Sequence, residues 1–188
     1  MSYLKATFGL LLSLLIFVSP SLGQTKKAPP PPPGGSSNQG LSKNSKAPNF
    51  TYETLSGNKI KLSNYRGQYI LIDFWGTWCK PCLKEMPYLK QAYSKYGDRV
   101  KFIGFAADDN KKAVLNYVNK HDIPWSQIVV PLNSKKPAKI IRKYNVRMFP
   151  SIFLIAPNGN VQNGAHSSKE MSKLRGQHLI KSLGKALN

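Results

Sequence analysis

Asp73-Phe74-Trp75-Gly76-Thr77-Trp78-Cys79-Lys80-Pro81-Cys82 is the stretch on which the reading of the chain turns. It holds the only two cysteines, spaced Cys-x-x-Cys. An apolar run, Tyr69-Ile70-Leu71-Ile72, leads into it. Leu83, Met86, Leu89, Ala92 or Tyr93, and Tyr96 follow at helical spacing. The pattern therefore predicts a dithiol at a strand-to-helix junction. Helix starts leave N–H groups unpaired and carry partial positive charge, which favours a thiolate. Cysteines in such places fall from about 8.5 to roughly 3.5–7.5. Cys79 is the expected nucleophile, with Lys80 adding a cation and Pro81 tolerated in the first turn. Cys82 lies one turn deeper, is expected to be better shielded, and is placed to close a disulfide.

Outward from this stretch, Gln68–Trp75 reads as a central strand covered on both faces, since its apolar run is almost unbroken. The helix is expected over Cys79–Tyr96, kinked by Pro87 and ended at Gly97-Asp98. Upstream, Ala47–Glu53 and Ile60–Leu62 flank a Ser56–Lys59 turn and form a hairpin. Downstream come a strand over Val100–Ala107, a helix capped by Asp108 or Asp109 and running to His121, and a strand at Ile128–Val130. A basic helix is expected over Lys136–Tyr144, then a hairpin of Ser151–Ile155 and Val161-Gln162 supplying antiparallel edge strands. Ser167-Ser168-Lys169-Glu170 reads as a capping box opening a last helix with Met171, Leu174, Leu179, Leu183 and Leu187. Strands alternating with helices predict an α/β layer fold.

Two blocks resemble the thioredoxin superfamily, and within it the secreted TlpA/ResA-like thiol-disulfide oxidoreductases. One is Phe74–Cys82 with Glu85-Met86-Pro87; the other is Tyr144–Ile155, containing Met148-Phe149-Pro150-Ser151. The resemblance spans about residues 47 to 188. It implies a thioredoxin-like fold, a central mixed sheet flanked by helices, with an N-terminal β-hairpin extension. It also implies that Pro150 is a cis-proline facing the dithiol and that Phe149 offers its backbone to an extended substrate. Trp78, Lys80, Pro81, Phe149 and Pro150 are the expected substrate-facing residues. Phe149 and Ser151 depart from the commoner pairing around that proline.

Asp73, six positions before Cys79, matches a buried acid in many members; a buried carboxyl has a raised pKa and can relay a proton. The competing placement is an acid on an exposed strand end. Glu85, three residues past Cys82, competes with Asp73 as the acid/base that deprotonates Cys82, since it matches a glutamate that secreted ResA-like members carry near the dithiol; its plainer placement is a first-turn glutamate satisfying the helix dipole. Neither a metal nor an organic cofactor is expected. A zinc site needs about four ligands, whereas there is one cysteine pair and His121, His166 and His178 are dispersed. Leu83 follows Cys82, so the haem-attachment pattern is missing.

The N-terminus carries Lys5, an apolar run Ala6–Val18, and Ser21 and Gly23 at −3 and −1 of a cut after Gly23. This is a signal-peptide pattern, too short for a comfortable span of about 20 residues, although an uncleaved anchor is the alternative. Residues 24–46, with Pro29–Pro33 and Gly34-Gly35-Ser36-Ser37, read as a disordered linker before the domain at 47–188. Export places the domain where disulfides persist. The whole chain has a net charge of +20, and residues 47–188 carry 23 basic against eight acidic side chains. A solvated basic surface or proximity to an anionic membrane fits this; nucleic acid does not, because the basic residues are scattered and no such motif occurs.

The expected activity is thiol-disulfide exchange as an extracytoplasmic reductase, for example in cytochrome c maturation, recharged by a membrane thiol electron donor. Protein thiols and disulfides are the expected substrates, and a monomer the expected assembly. Alternatives are a disulfide oxidase or isomerase, a thiol peroxidase, and a non-catalytic adaptor. The peroxidase reading lacks the Pro and Thr or Ser expected shortly before its cysteine.

Overall fold

The structure is a computed structural model and describes residues 41–132, 138–164, 170 and 172–188. The signal peptide, linker residues 24–40, the segment 133–137 that includes the expected start of the basic helix, and Ser167–Lys169 and Met171 of the capping box and last helix lie outside them.

A five-stranded sheet has the order β5-β4-β3-β6-β7. The strands are β3 (Tyr69–Trp75), β4 (Val100–Ala107), β5 (Ser126–Val130), β6 (Ser151–Ile155) and β7 (Val161–Asn163). β3, β4 and β5 run parallel; β6 runs antiparallel to β3, and β7 to β6. Only β7 of the late hairpin lies towards the sheet's edge: β6 sits inside, with Phe74 opposite Ser151. Its five residues are all buried, as an interior strand requires. The early hairpin is a separate two-stranded sheet of β1 (Thr51–Glu53) and β2 (Lys59–Lys61).

Among the described residues the α-helices with defined ends are α1 (Lys80–Tyr96), α2 (Lys111–Lys120), α3 (Lys139–Lys143) and α4 (Gly176–Leu187). Side chains alternate across a strand, and β3 divides accordingly. Ile70, Ile72 and Phe74 join Phe105, Tyr144, Phe153 and Phe50 on one face. Leu71 and Trp75 join Met86, Leu89, Ala92, Leu179 and Leu183 on the other, under α1 and α4. Asp73 has the parity of Leu71 and Trp75, so it belongs to the α1 face.

Several expectations shift. Asn110, not Asp108 or Asp109, caps α2, accepting from the Ala113 N–H at 2.9 Å. Asp108 is engaged elsewhere, with the loop that precedes Cys79. The last helix is not one run from residue 167: Arg175 is extended (φ −125°, ψ 150°), and α4 starts only after it. The packed body also begins before Ala47. Asn44 N–H donates to Val161 O at 2.7 Å, and Val161 N–H to Ser45 O at 2.8 Å, so the end of the expected linker lines β7. This covers a sheet edge that would otherwise present unpaired backbone.

Candidate active site

The dithiol sits where β3 hands over to α1. Cys79 is the N-cap of α1 (φ −89°, ψ 89°), and its sulfur accepts the Cys82 N–H at 3.2 Å. Cys79 and Cys82 are joined in a disulfide, with Cα atoms 5.3 Å apart. Both are nearly closed to solvent, at 3% and 1% exposure, so the expected difference in shielding is small in this oxidised form. No acidic residue occupies the first turn of α1, so nothing there cancels the positive end of a 17-residue helix. Glu85 is the sixth residue of α1 and lies beyond the first turn, so it does not serve its own helix's dipole. Lys80 and Pro81 are exposed at the mouth.

The loop into Cys79 is fastened by a residue that the sequence reading assigned to a helix cap. Asp108, buried at the end of β4, accepts the Thr77 N–H through Oδ2 at 3.2 Å and the Thr77 hydroxyl through the same oxygen. Its other oxygen accepts the Asn110 N–H at 3.0 Å. The Thr77 hydroxyl is thus committed to Asp108. Trp78 donates its indole N–H to Ala107 O at 2.9 Å and meets Phe149 edge-on, ring centres 5.3 Å apart. Trp75 is fully buried, with its indole N–H on Gln127 Oε1 at 2.9 Å, a packing role.

The Phe149–Pro150 peptide bond is cis, as the resemblance implies. Ser151 ties this turn by donating its hydroxyl to Met148 O at 2.6 Å. The two departures from the commoner pattern therefore have structural roles: Phe149 packs against Trp78, and Ser151 closes the turn. Met148, half-exposed next to them, adds apolar surface at the rim.

Asp73 is 1% exposed, which excludes the exposed-strand-end placement. Neither carboxyl oxygen has a hydrogen-bond partner among the described residues. Burial pushes its pKa up to about 8; the Glu85 carboxylate pushes the same way, and the Arg175 guanidinium pulls it down. A buried carboxylate without partners is costly, so the neutral acid is favoured near pH 7. Glu85, half-buried, accepts the Gly176 N–H at 2.8 Å and so joins α1 to the start of α4. Arg175 donates to Pro150 O at 2.9 Å.

Five residues have roles here that the sequence reading did not give them: Asp108, Gln127, Ser151, Arg175 and Gly176. Asp108, Gln127, Arg175 and Gly176 act through contacts distant in sequence, Ser151 through a local bond to a carbonyl three residues earlier, and no local period marks any of them. Among the described residues no cluster of His, Cys, Asp or Glu could hold a metal, and no helix is long and apolar enough to cross a membrane.

Comparisons with known proteins agree with this geometry. The profile of the AhpC/TSA family matches residues 44–163. The chain is 39% identical over 131 residues to the thiol-disulfide oxidoreductase ResA of Bacillus cereus, covering 69% of this chain and 73% of that one. It is 30% identical over 140 residues to the thioredoxin-like protein YneN of Bacillus subtilis, covering 71% and 79%. Among solved structures, the thioredoxin domain of a thiol-disulfide oxidoreductase from Bacteroides vulgatus superposes with a TM-score of 0.68 at 28% identity, over 79% of this chain and 99% of that one.

Proposed function

The chain belongs to the AhpC/TSA family and is a thiol-disulfide oxidoreductase of the ResA type, and on that premise we propose that it reduces disulfides of extracytoplasmic proteins, cytochrome c maturation being the candidate setting. The observation that carries this reading is the Cys79–Cys82 disulfide at the uncancelled N-terminus of α1, on the sheet face that also holds buried Asp73.

In the reaction as proposed, the reduced Cys79 thiolate attacks one sulfur of a substrate disulfide. A mixed disulfide forms and one substrate thiolate leaves. The Cys82 thiol then passes its proton to Asp73 in its carboxylate form, which a pKa of about 8 leaves as the minor form near pH 7, and the Cys82 thiolate attacks the Cys79 sulfur. The Cys79–Cys82 bond forms, the mixed disulfide breaks, and the second substrate thiolate leaves, taking a proton from solvent. Two electrons move from protein to substrate. A membrane thiol donor returns them. Asp73 suits the proton step because its pKa of about 8 lies close to that of a thiol. Trp78, Phe149 and cis-Pro150 form the surface on which an extended substrate would lie, with Lys80 and Pro81 at its rim. The signal-peptide pattern at residues 1–23 supports export. The domain acts as a monomer on this reading.

Two measurements test it. Cys82→Ala, expressed in the exported compartment, is expected to hold substrates as mixed disulfides on Cys79; an empty trap beside an active wild type refutes the order of attack. Equilibration with glutathione is expected to give a reducing potential. A value above about −150 mV would make the protein an oxidant instead.

A further inference from the structure

We propose that the outer edge of β1, facing Lys139 and Lys143 of α3, is a docking groove for an extended acidic segment of a partner protein. The inference goes beyond the exchange reaction and does not depend on its direction.

Asn49–Tyr52 on one wall and Lys139, Ile140 and Lys143 on the other enclose an open cleft of about 300 Å³. Side chains alternate along a strand, so four consecutive residues lining one cleft place the strand's edge, not one of its faces, against it. That edge is unpaired. Phe50 O accepts the Leu62 N–H at 3.1 Å, and the Thr54 N–H reaches Asn58 O at 2.9 Å, so Phe50, Tyr52 and Thr54 turn their backbone groups to β2. Thr51 and Glu53 turn theirs outward, and among the described residues nothing accepts their N–H groups. An uncovered edge of this kind is a template for pairing with another chain.

Charge sets the chemistry of that chain. Lys139 and Lys143 lie one turn apart and are exposed. The Asn49 carboxamide oxygen already accepts the Phe50 and Ser63 N–H groups, at 3.0 and 3.2 Å, which leaves its NH2 group as a donor. Among the described residues no acid lines the cleft. Four residues of helix rise about 6 Å and two of strand about 6.7 Å, so carboxylates on alternate residues of an added strand match the two ammonium groups in spacing. The chain's own N-terminal segment does not supply them, because no Asp or Glu precedes Glu53. A second copy is disfavoured by a net charge of +20. Phe50 packs in the cluster of Ile72 and Phe74, whereas Cys79 and Cys82 pack in that of Leu71 and Trp75, so groove and dithiol belong to opposite faces of the sheet.

The test uses the oxidised full chain at low salt and a blocked, cysteine-free peptide with Glu at alternate positions and Thr or Val between them. Binding is expected to slow deuterium exchange of the Thr51 and Glu53 amides and to leave the Tyr52 amide, already turned to β2, unchanged. Lys139→Gln combined with Lys143→Gln is expected to weaken binding about fivefold. Lys139→Glu combined with Lys143→Glu is expected to turn the preference to a peptide with Lys in place of Glu. Unchanged exchange at Thr51 and Glu53 in millimolar acidic peptide overturns the proposal. So does equal binding of the acidic and basic peptides by wild type. The same amide response to glutarate alone also overturns it, because the cleft would then be a small-anion site. No disulfide is reduced in these measurements, so their failure and that of the trapping experiment are separate results.

Discussion

Replacing Asp73 by Asn should change how stability depends on pH, because the native carboxyl works against the fold once it ionises. The Asp73 pKa is 3.8 in its ordinary state and about 8 in the folded protein. Between those values the folded state holds a proton that the unfolded chain has released. Stability therefore falls as pH rises through that window, and the group's favourable state is complete only below about pH 4. At 1.36 kcal/mol per pH unit over a shift from 3.8 to about 8, the penalty reaches about 6 kcal/mol above pH 8, as an order of magnitude. The Asp73→Asn variant has no such slope. It instead buries an amide where neither Asp73 oxygen has a partner, at about 1–3 kcal/mol independent of pH. The variant should thus be no more stable than wild type at pH 5 and clearly more stable at pH 8.5. Urea unfolding of both proteins, oxidised, at pH 5, 7 and 8.5 measures this, and taking the difference cancels every other titrating group. A difference between the two proteins that stays constant across the three pH values refutes the reasoning.

Glu85→Ala removes the acceptor of the Gly176 N–H and should cost about 1 kcal/mol by urea unfolding; it should also lower the Asp73 midpoint, since the Glu85 carboxylate pushes that pKa up. Gly104→Ala would drive a Cβ into Gln127 Oε1, the acceptor of the buried Trp75 indole. Loss of that bond should cost about 1–3 kcal/mol and shift tryptophan fluorescence, and an unchanged melting temperature would count against it. Asp108→Ala frees both Thr77 donors, so the Thr77 amide should exchange with deuterium faster than in wild type while amides in the middle of β3 keep their protection.

What the sequence made legible is what short-range physics dictates. The apolar run of β3 and the 3.6-residue period of α1 come from local patterns, and the Cys-x-x-Cys between them fixes where the chemistry sits. The cis bond at Pro150 was accessible only through resemblance, because nothing in Phe149-Pro150 itself selects the isomer. Asp108-Asp109-Asn110 offers three capping residues in succession, and local propensity does not rank them. Asp108 is withdrawn by a loop 31 residues earlier, and the cap passes to Asn110. Likewise, Leu174, Leu179 and Leu183 fit one helical stripe, yet Arg175 interrupts it to reach a carbonyl 25 residues away. Contacts of that reach have no period to read.

The two halves of thiol exchange make opposite demands, and the fold places them on different elements. The first half needs an anionic sulfur, which the open end of α1 favours without moving a proton inside the protein. The second half needs a buried thiol to lose its proton where water scarcely reaches, since Cys82 is 1% exposed. Against a thiol near 8.5, an ordinary aspartate at 3.8 would make that transfer uphill by about 6 kcal/mol. At about 8 that gap largely closes, because the carboxylate is then a base of about a thiolate's strength. Burial on the α1 face achieves this, and the same burial weakens the fold at alkaline pH. Asp73 is therefore hard to explain as a structural residue: among the described residues it has no hydrogen bond, and its charge is unfavourable where it stands. On the proposed reaction, its place on the inward face of β3 would serve to take the Cys82 proton where water scarcely reaches.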